Sequence, residues 1–154
     1  MLVAFLLATT VPAAGQGALQ TAGGQALEKV CALCGQKIEG TQPVSAADFQ
    51  DNAELVYDNL ACALEDMKQR RQTSLAQVLC PISLQTLKII RTGVKWTADP
   101  PTARFMSLRE GIIAFATQRE FIQYLARNRY AASQRPKPLP LRETLAIIET
   151  KLKQ

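Results

Sequence analysis

Sulfur is the unusual chemistry of this chain. Val30-Cys31-Ala32-Leu33-Cys34-Gly35 sets two thiols two residues apart on a glycine-closed turn, and Tyr57-Asp58-Asn59-Leu60-Ala61-Cys62 adds a third. The 154 residues include no histidine, so imidazole acid–base catalysis and His-ligated metal sites are excluded. A Cys-x-x-Cys-Gly turn can close a small disulfide, hold a redox pair or grip a thiophilic metal with two sulfurs. If Asp58 or Asn59 caps a helix, Cys62 falls in its first turn, where the macrodipole favours a thiolate. A small buried apolar residue is the other role open to a cysteine there, but Cys62 sits off the apolar stripe begun by Leu60. Cys80, before Pro81, has two readings: a disulfide partner for Cys62 or a fourth zinc ligand. The four cysteines are separated by 2, 27 and 17 residues, which lacks the second short pair of a two-knuckle zinc site. Met106 offers a thioether, a soft ligand that suits Cu(I) beside thiolates; Met67 reads as core.

The elements that must position these sulfurs follow from patterning. Val44 to Phe49 and Glu54 to Tyr57 read as strands joined by a turn at Asp51-Asn52. The helix capped by Asp58 or Asn59 runs to about Arg71 and buries Leu60, Leu64 and Met67 at i, i+4, i+7. Leu75 to Leu79 reads as a continuation of it, broken at Cys80-Pro81 because proline disfavours helix at the preceding residue. Leu84 to Arg91, Val94 to Thr97, Ala103 to Ser107 and Ile112 to Ala116 are strand-like. Thr117-Gln118-Arg119-Glu120 is a capping box, opening a helix expected to bury Phe121, Ile122 and Leu125. Strand–strand–helix therefore recurs, and the fold class expected is α+β: two small related ββα(β)-type halves packed together, plus a C-terminal amphipathic helix.

Composition agrees with an ordinary globular chain, 47% hydrophobic and 20% charged. The net charge of +5 is wholly the work of residues 127–154, with seven basic and two acidic side chains; residues 1–126 carry eleven of each sign. At the other end, the apolar run Leu2 to Thr10 followed by Val11-Pro12-Ala13-Ala14-Gly15 reads as an export signal, too short to span a bilayer. The expected organisation is a signal peptide over 1–14, a linker over 15–25, an α+β domain over 26–130, a Pro-rich spacer over 131–140 and a helix over 141–154. Leu141, Leu145, Ile148 and Leu152 form that helix's apolar stripe, which either packs on the domain or, with its basic neighbours, meets an anionic membrane surface or acidic partner. Export places the thiols in a compartment where disulfides form.

Cys31-Ala32-Leu33-Cys34-Gly35, Val56 to Cys62, Trp96-Thr97-Ala98, Ala103 to Met106 and Ile113 to Ala116 together resemble NosL-type proteins, exported copper-binding accessory proteins of nitrous-oxide reductase maturation. The likeness runs from about Cys31 to Arg127. It implies two related ββαβ-like halves and a soft Cu(I) site, with Cys31, Cys34 and Met106 at positions like those of family ligands. Gln36 stands where the family commonly has methionine, and no lipid-attachment cysteine follows the apolar leader. The expectation is a periplasmic or otherwise exported protein that binds Cu(I), or alternatively Zn, through Cys31, Cys34, Cys62 and Met106. It would serve a client metalloprotein or membrane assembly complex as carrier or assembly factor, not as an enzyme or nucleic-acid binder. The competing expectation is a disulfide-stabilised interaction protein without metal. A thiol oxidoreductase ranks below both, because a thioredoxin-like redox motif wants a βαβ context around the Cys pair.

Overall fold

The computed structural model describes residues 29–39 and 45–151; the expected signal peptide and linker lie outside the described residues. The chain is α+β. β1 (Ser45–Phe49) and β2 (Glu54–Tyr57) form an antiparallel hairpin, turned at Asn52 in a left-handed conformation. α1 (Leu60–Arg70) follows, then β3 (Ser74–Leu79), β4 (Thr86–Thr92) and β5 (Lys95–Asp99). These five strands make one antiparallel sheet in the order β2-β1-β3-β4-β5. β6 (Arg104–Ser107) and β7 (Ile112–Phe115) form a separate two-stranded ribbon, followed by α2 (Gln118–Arg127) and α3 (Leu141–Lys151).

One face of the large sheet is buried. Ala47, Phe49, Ala76, Val78, Leu87 and Ile89 point inward from alternate positions of β1, β3 and β4, as a half-buried antiparallel sheet requires. α1 lies against β1, β2, β3 and β7 and closes this face with Leu60, Ala63, Leu64 and Met67, the stripe expected from its spacing. Full burial of each large apolar side chain stabilises by about 1.5–3 kcal/mol. Arg91, on the inward face of β4, donates from Nη1 to the carbonyls of Met67 and Lys68 (2.9 Å to the latter) and from Nε to Gly93 (3.0 Å). Its guanidinium also stacks over Trp96. The orphan carbonyls at the C-terminal end of α1 thus find their donor in the sheet.

Two expectations need correction. Leu75 to Leu79 does not prolong α1: Arg71 takes a left-handed conformation (φ 56°) that ends the helix, and the segment becomes β3. Its inward positions are the small residues Ser74 and Ala76 with Val78, while Leu75 and Leu79 stand on the outer face. Close approach of α1 to the sheet demands small side chains there, and this masks the alternation a strand normally shows. Ile122 is 55% exposed rather than buried. α2 packs on the β6–β7 ribbon through Phe121 and Leu125, whereas α1 is covered from more sides.

The capping box at Thr117 and Glu120 is present. The Pro-rich spacer is pinned: Leu139 and Phe105 exchange two backbone hydrogen bonds of 2.9 Å each along the free edge of β6. That anchor sets α3 against β5, β6 and α1, with Thr144 and Ile148 buried and a Lys68–Glu149 ion pair alongside. Among the described residues, no helix is long and apolar enough to cross a membrane.

Candidate metal centre

The Cys31 turn is built by backbone. The Cys31 amide donates to Gln36 O (2.8 Å) and the Gly35 amide to Cys31 O (3.0 Å), while Val30 pairs across the stem with Lys37. Gly35 sits at φ +71°, where a Cβ is penalised. The Ala32 amide donates to Val56 O (2.9 Å), so the turn is fastened to the outer edge of β2. Two residues beyond Val56, the chain delivers Asp58 and then Asn59, the N-cap of α1.

Asn59 arranges the rest. Its Oδ1 accepts from the Cys62 amide (3.1 Å), the hydrogen bond that caps the helix. Its Nδ2 donates to Asp58 Oδ1 (3.0 Å) and to Cys62 Sγ (3.6 Å). Cys34 Sγ reaches Asp58 Oδ2 at 3.7 Å. One ligand atom each from Cys31, Cys34, Asp58 and Cys62 lies within 4.8 Å of every other. Sulfurs bound tetrahedrally at about 2.3 Å to one ion stand about 3.8 Å apart, so a small contraction brings this group to bonding distance. Burial is graded across it: Cys31 is 2% exposed, Asp58 and Cys62 are half-buried and Cys34 is exposed. A cavity of about 340 Å³ adjoins Asp58 and Asn59, walled by Pro81, Ile112, Ala114 and Tyr124 among others.

Electrostatics within the group oppose charge accumulation. Burial first, then hydrogen bonding to Asp58 and the nearby carboxylate charge, push the Cys62 thiol far above its ordinary range. The expectation that the helix dipole favours a thiolate there is overturned, because desolvation and Asp58 outweigh it. The Gln36 backbone favours a Cys34 thiolate, but burial, Cys31 and Asp58 together carry that thiol's pKa upward. Asp58 is desolvated, yet hydrogen bonds from Cys31, Cys62, the Asn59 backbone and Cys34 hold it below the usual carboxylate range. A cation entering the group supplies the positive charge that these donors lack, and its binding expels the thiol protons.

Cys31, Cys34 and Cys62 are thus brought together, as sequence reasoning anticipated. All four cysteines are free thiols. Cys80 is fully buried at the end of β3, outside the group of four. Met106 is fully buried in β6. Asp58 was legible only as a candidate cap; its place immediately before the true cap, four residues ahead of Cys62, is the signal that marks it as a donor. Comparison with protein-family models, with curated proteins and with solved structures finds no match to this chain.

Proposed function

We propose that this protein carries a thiophilic metal ion, Cu(I) in the first place, on Cys31, Cys34 and Cys62, with Asp58 beside them. The observation that carries the reading is the convergence of three sulfurs and one carboxylate within 4.8 Å from two separate segments of chain. Three thiolates satisfy Cu(I), whose preference for soft donors fits a site lacking imidazole. Exposed Cys34 at the rim gives an acceptor protein's sulfur somewhere to attack, so transfer proceeds through shared thiolates. On this reading the chain is a NosL-like assembly factor, working outside the cytoplasm on a client metalloprotein, and not an enzyme. Zn(II) is the second reading, favoured by one specific feature: Asp58 provides the fourth, harder ligand that tetrahedral zinc requires.

Titration of the reduced protein with Cu(I) against a competing chelator tests this. Wild type should outcompete Cys31→Ser/Cys34→Ser by several orders of magnitude, and Asp58→Asn should lose little Cu(I) affinity but most zinc affinity. Met106→Leu, a volume-conserving change in the core, tells a thioether ligand from a packing residue: Cu(I) binding weakens in the first case and stays as it was in the second. Equal affinity in wild type and the double serine variant would end the carrier reading. A Cys31–Cys34 bridge that survives mild reductant, seen by mass spectrometry of the untreated protein, would favour the metal-free interaction protein instead.

A further inference from the structure

The turn that carries Cys31 occurs twice. At the end of β3, the Cys80 amide donates to Gln85 O (2.9 Å) and the Leu84 amide to Cys80 O (3.0 Å). Cys31 makes the same two bonds, to Gln36 O and from Gly35, at 2.8 and 3.0 Å. Leu84 is left-handed (φ 59°) where Gly35 is left-handed (φ 71°). The stem pairs match as well, Leu79 with Thr86 and Val30 with Lys37. On this register Cys80 answers to Cys31, each buried, and Ser83 answers to Cys34, each exposed.

The correspondence continues into the hairpins and helices. β6–β7–α2 repeats β1–β2–α1, and Phe115 and Tyr57, each fully buried, stand two residues before the N-caps Thr117 and Asn59. Each cap side chain accepts from the amide three residues on, that of Glu120 or of Cys62. Glu120 therefore occupies the place of Cys62 and Ser83 the place of Cys34; against the pull of burial, Ser83 and the Thr117 cap help to hold the Glu120 carboxylate below its ordinary range. The strands β4 and β5 are interposed between turn and hairpin in the second copy.

We propose that Cys80, Ser83 and Glu120 are a second copy of the Cys31–Cys34–Cys62 constellation, in which Ser83 and Glu120 join turn to helix where the first copy has its metal donors. Ala116 in the place of Asp58 removes the fourth donor. The second copy keeps one soft ligand and holds no thiophilic ion, so a loaded chain carries one ion. This inference shares with the carrier reading only the premise that the first constellation suits a metal.

The test restores the thiols. Ser83→Cys/Glu120→Cys, made on Cys31→Ser/Cys34→Ser so that the first constellation is disabled, is titrated with Cd(II) under reducing conditions. The expected result is one equivalent bound with sulfur-to-cadmium charge-transfer absorption in the ultraviolet, against none for the Cys31→Ser/Cys34→Ser parent. Absorption equal to the parent's from a folded variant overturns the proposal. If that variant does not fold, a cycle of Ser83→Ala, Glu120→Gln and the double change in otherwise wild-type protein decides by thermal unfolding. Coupled losses uphold the Ser83–Glu120 link and strict additivity overturns it. Failure of wild type to bind Cu(I) would remove the carrier reading and leave both of these measurements standing.

Discussion

Asn59 does three things with one side chain. Its oxygen caps α1, and its amide nitrogen holds both the Asp58 carboxylate and the Cys62 sulfur. Capping and ligand orientation can be separated, because serine caps a helix as well as asparagine but has no amide to donate. Asn59→Ser should therefore keep thermal stability near wild type while weakening Cu(I) binding about 10–100-fold, the usual cost of losing a residue that orients ligands. Asn59→Ala should lose the same affinity and about 1 kcal/mol of stability besides. Paired chelator-competition and thermal-melt measurements on the two variants check this; equal affinities for Asn59→Ser and wild type would show that Cys62 needs no such guidance. At this scale the sequence was legible where residue type alone decides chemistry. Cys31, Cys34 and Cys62 declare themselves by their sulfur, whereas Asp58 and Asn59 are interchangeable as caps until the helix start is fixed to the residue.

At the scale of elements, α1 is held at both ends by different agents. Its N-terminus is tied to the site through Asn59 and its C-terminus to the sheet through Arg91, which is 7% exposed and bonded to two helix carbonyls. A third restraint lies on its flank, where Tyr57 donates to Asp66 (2.7 Å) and Asp66 pairs with Arg70, whose guanidinium covers the Phe49 ring. Burial, and then the Asp66 carboxylate, push the Tyr57 hydroxyl's pKa well up, so it remains a donor across the usable pH range. Arg91→Ala leaves buried carbonyls without a partner and should cost about 1–3 kcal/mol. Cu(I) affinity should stay unchanged, because the site is at the opposite end of the helix. Urea unfolding beside chelator competition checks the separation; a matching fall in affinity would mean that the helix moves as one body with its ligands. The β1–β2 hairpin, the start of α1, the β6–β7 ribbon and the capping box were readable from alternation and cap residues. β3 was not, because its inward face carries Ser74 and Ala76, so the apolar Leu75 and Leu79 gave a helix-like spacing. Ile122 misled for the complementary reason: it is apolar, but among the described residues no element covers that side of α2.

For the molecule as a whole, the two turn-and-hairpin copies touch at a point that matters. A Cβ on Gly111, in the β6–β7 turn, would stand 3.1 Å from both Cβ and Cγ of Asn59. That is tighter than ordinary van der Waals contact, so Gly111→Ala should displace the Asn59 side chain and with it the support of Asp58 and Cys62. Loss of both stability and Cu(I) affinity is expected, although residue 111 offers no ligand. Chelator competition that shows wild-type affinity would mean that the contact yields without moving the cap. The recurrence of strand–strand–helix was visible in the sequence as an order of elements. Its residue register was not, because the repeat is carried by backbone hydrogen bonds around Cys31 and Cys80 that dissimilar side chains can share. Of the C-terminal stripe, Ile148 is buried where the Leu139–Phe105 pairing delivers α3 onto the domain.

The fastening of the Cys31 turn to β2 has a consequence for solubility. β2 is the last strand on its side of the five-stranded sheet, and the Ala32–Val56 bond lies along its outer margin. An uncovered margin of that kind is a template on which another polypeptide can add itself as a strand. The segment that bears the thiols is therefore also a guard against self-association, and lesions that loosen it should send the protein toward oligomers before it unfolds.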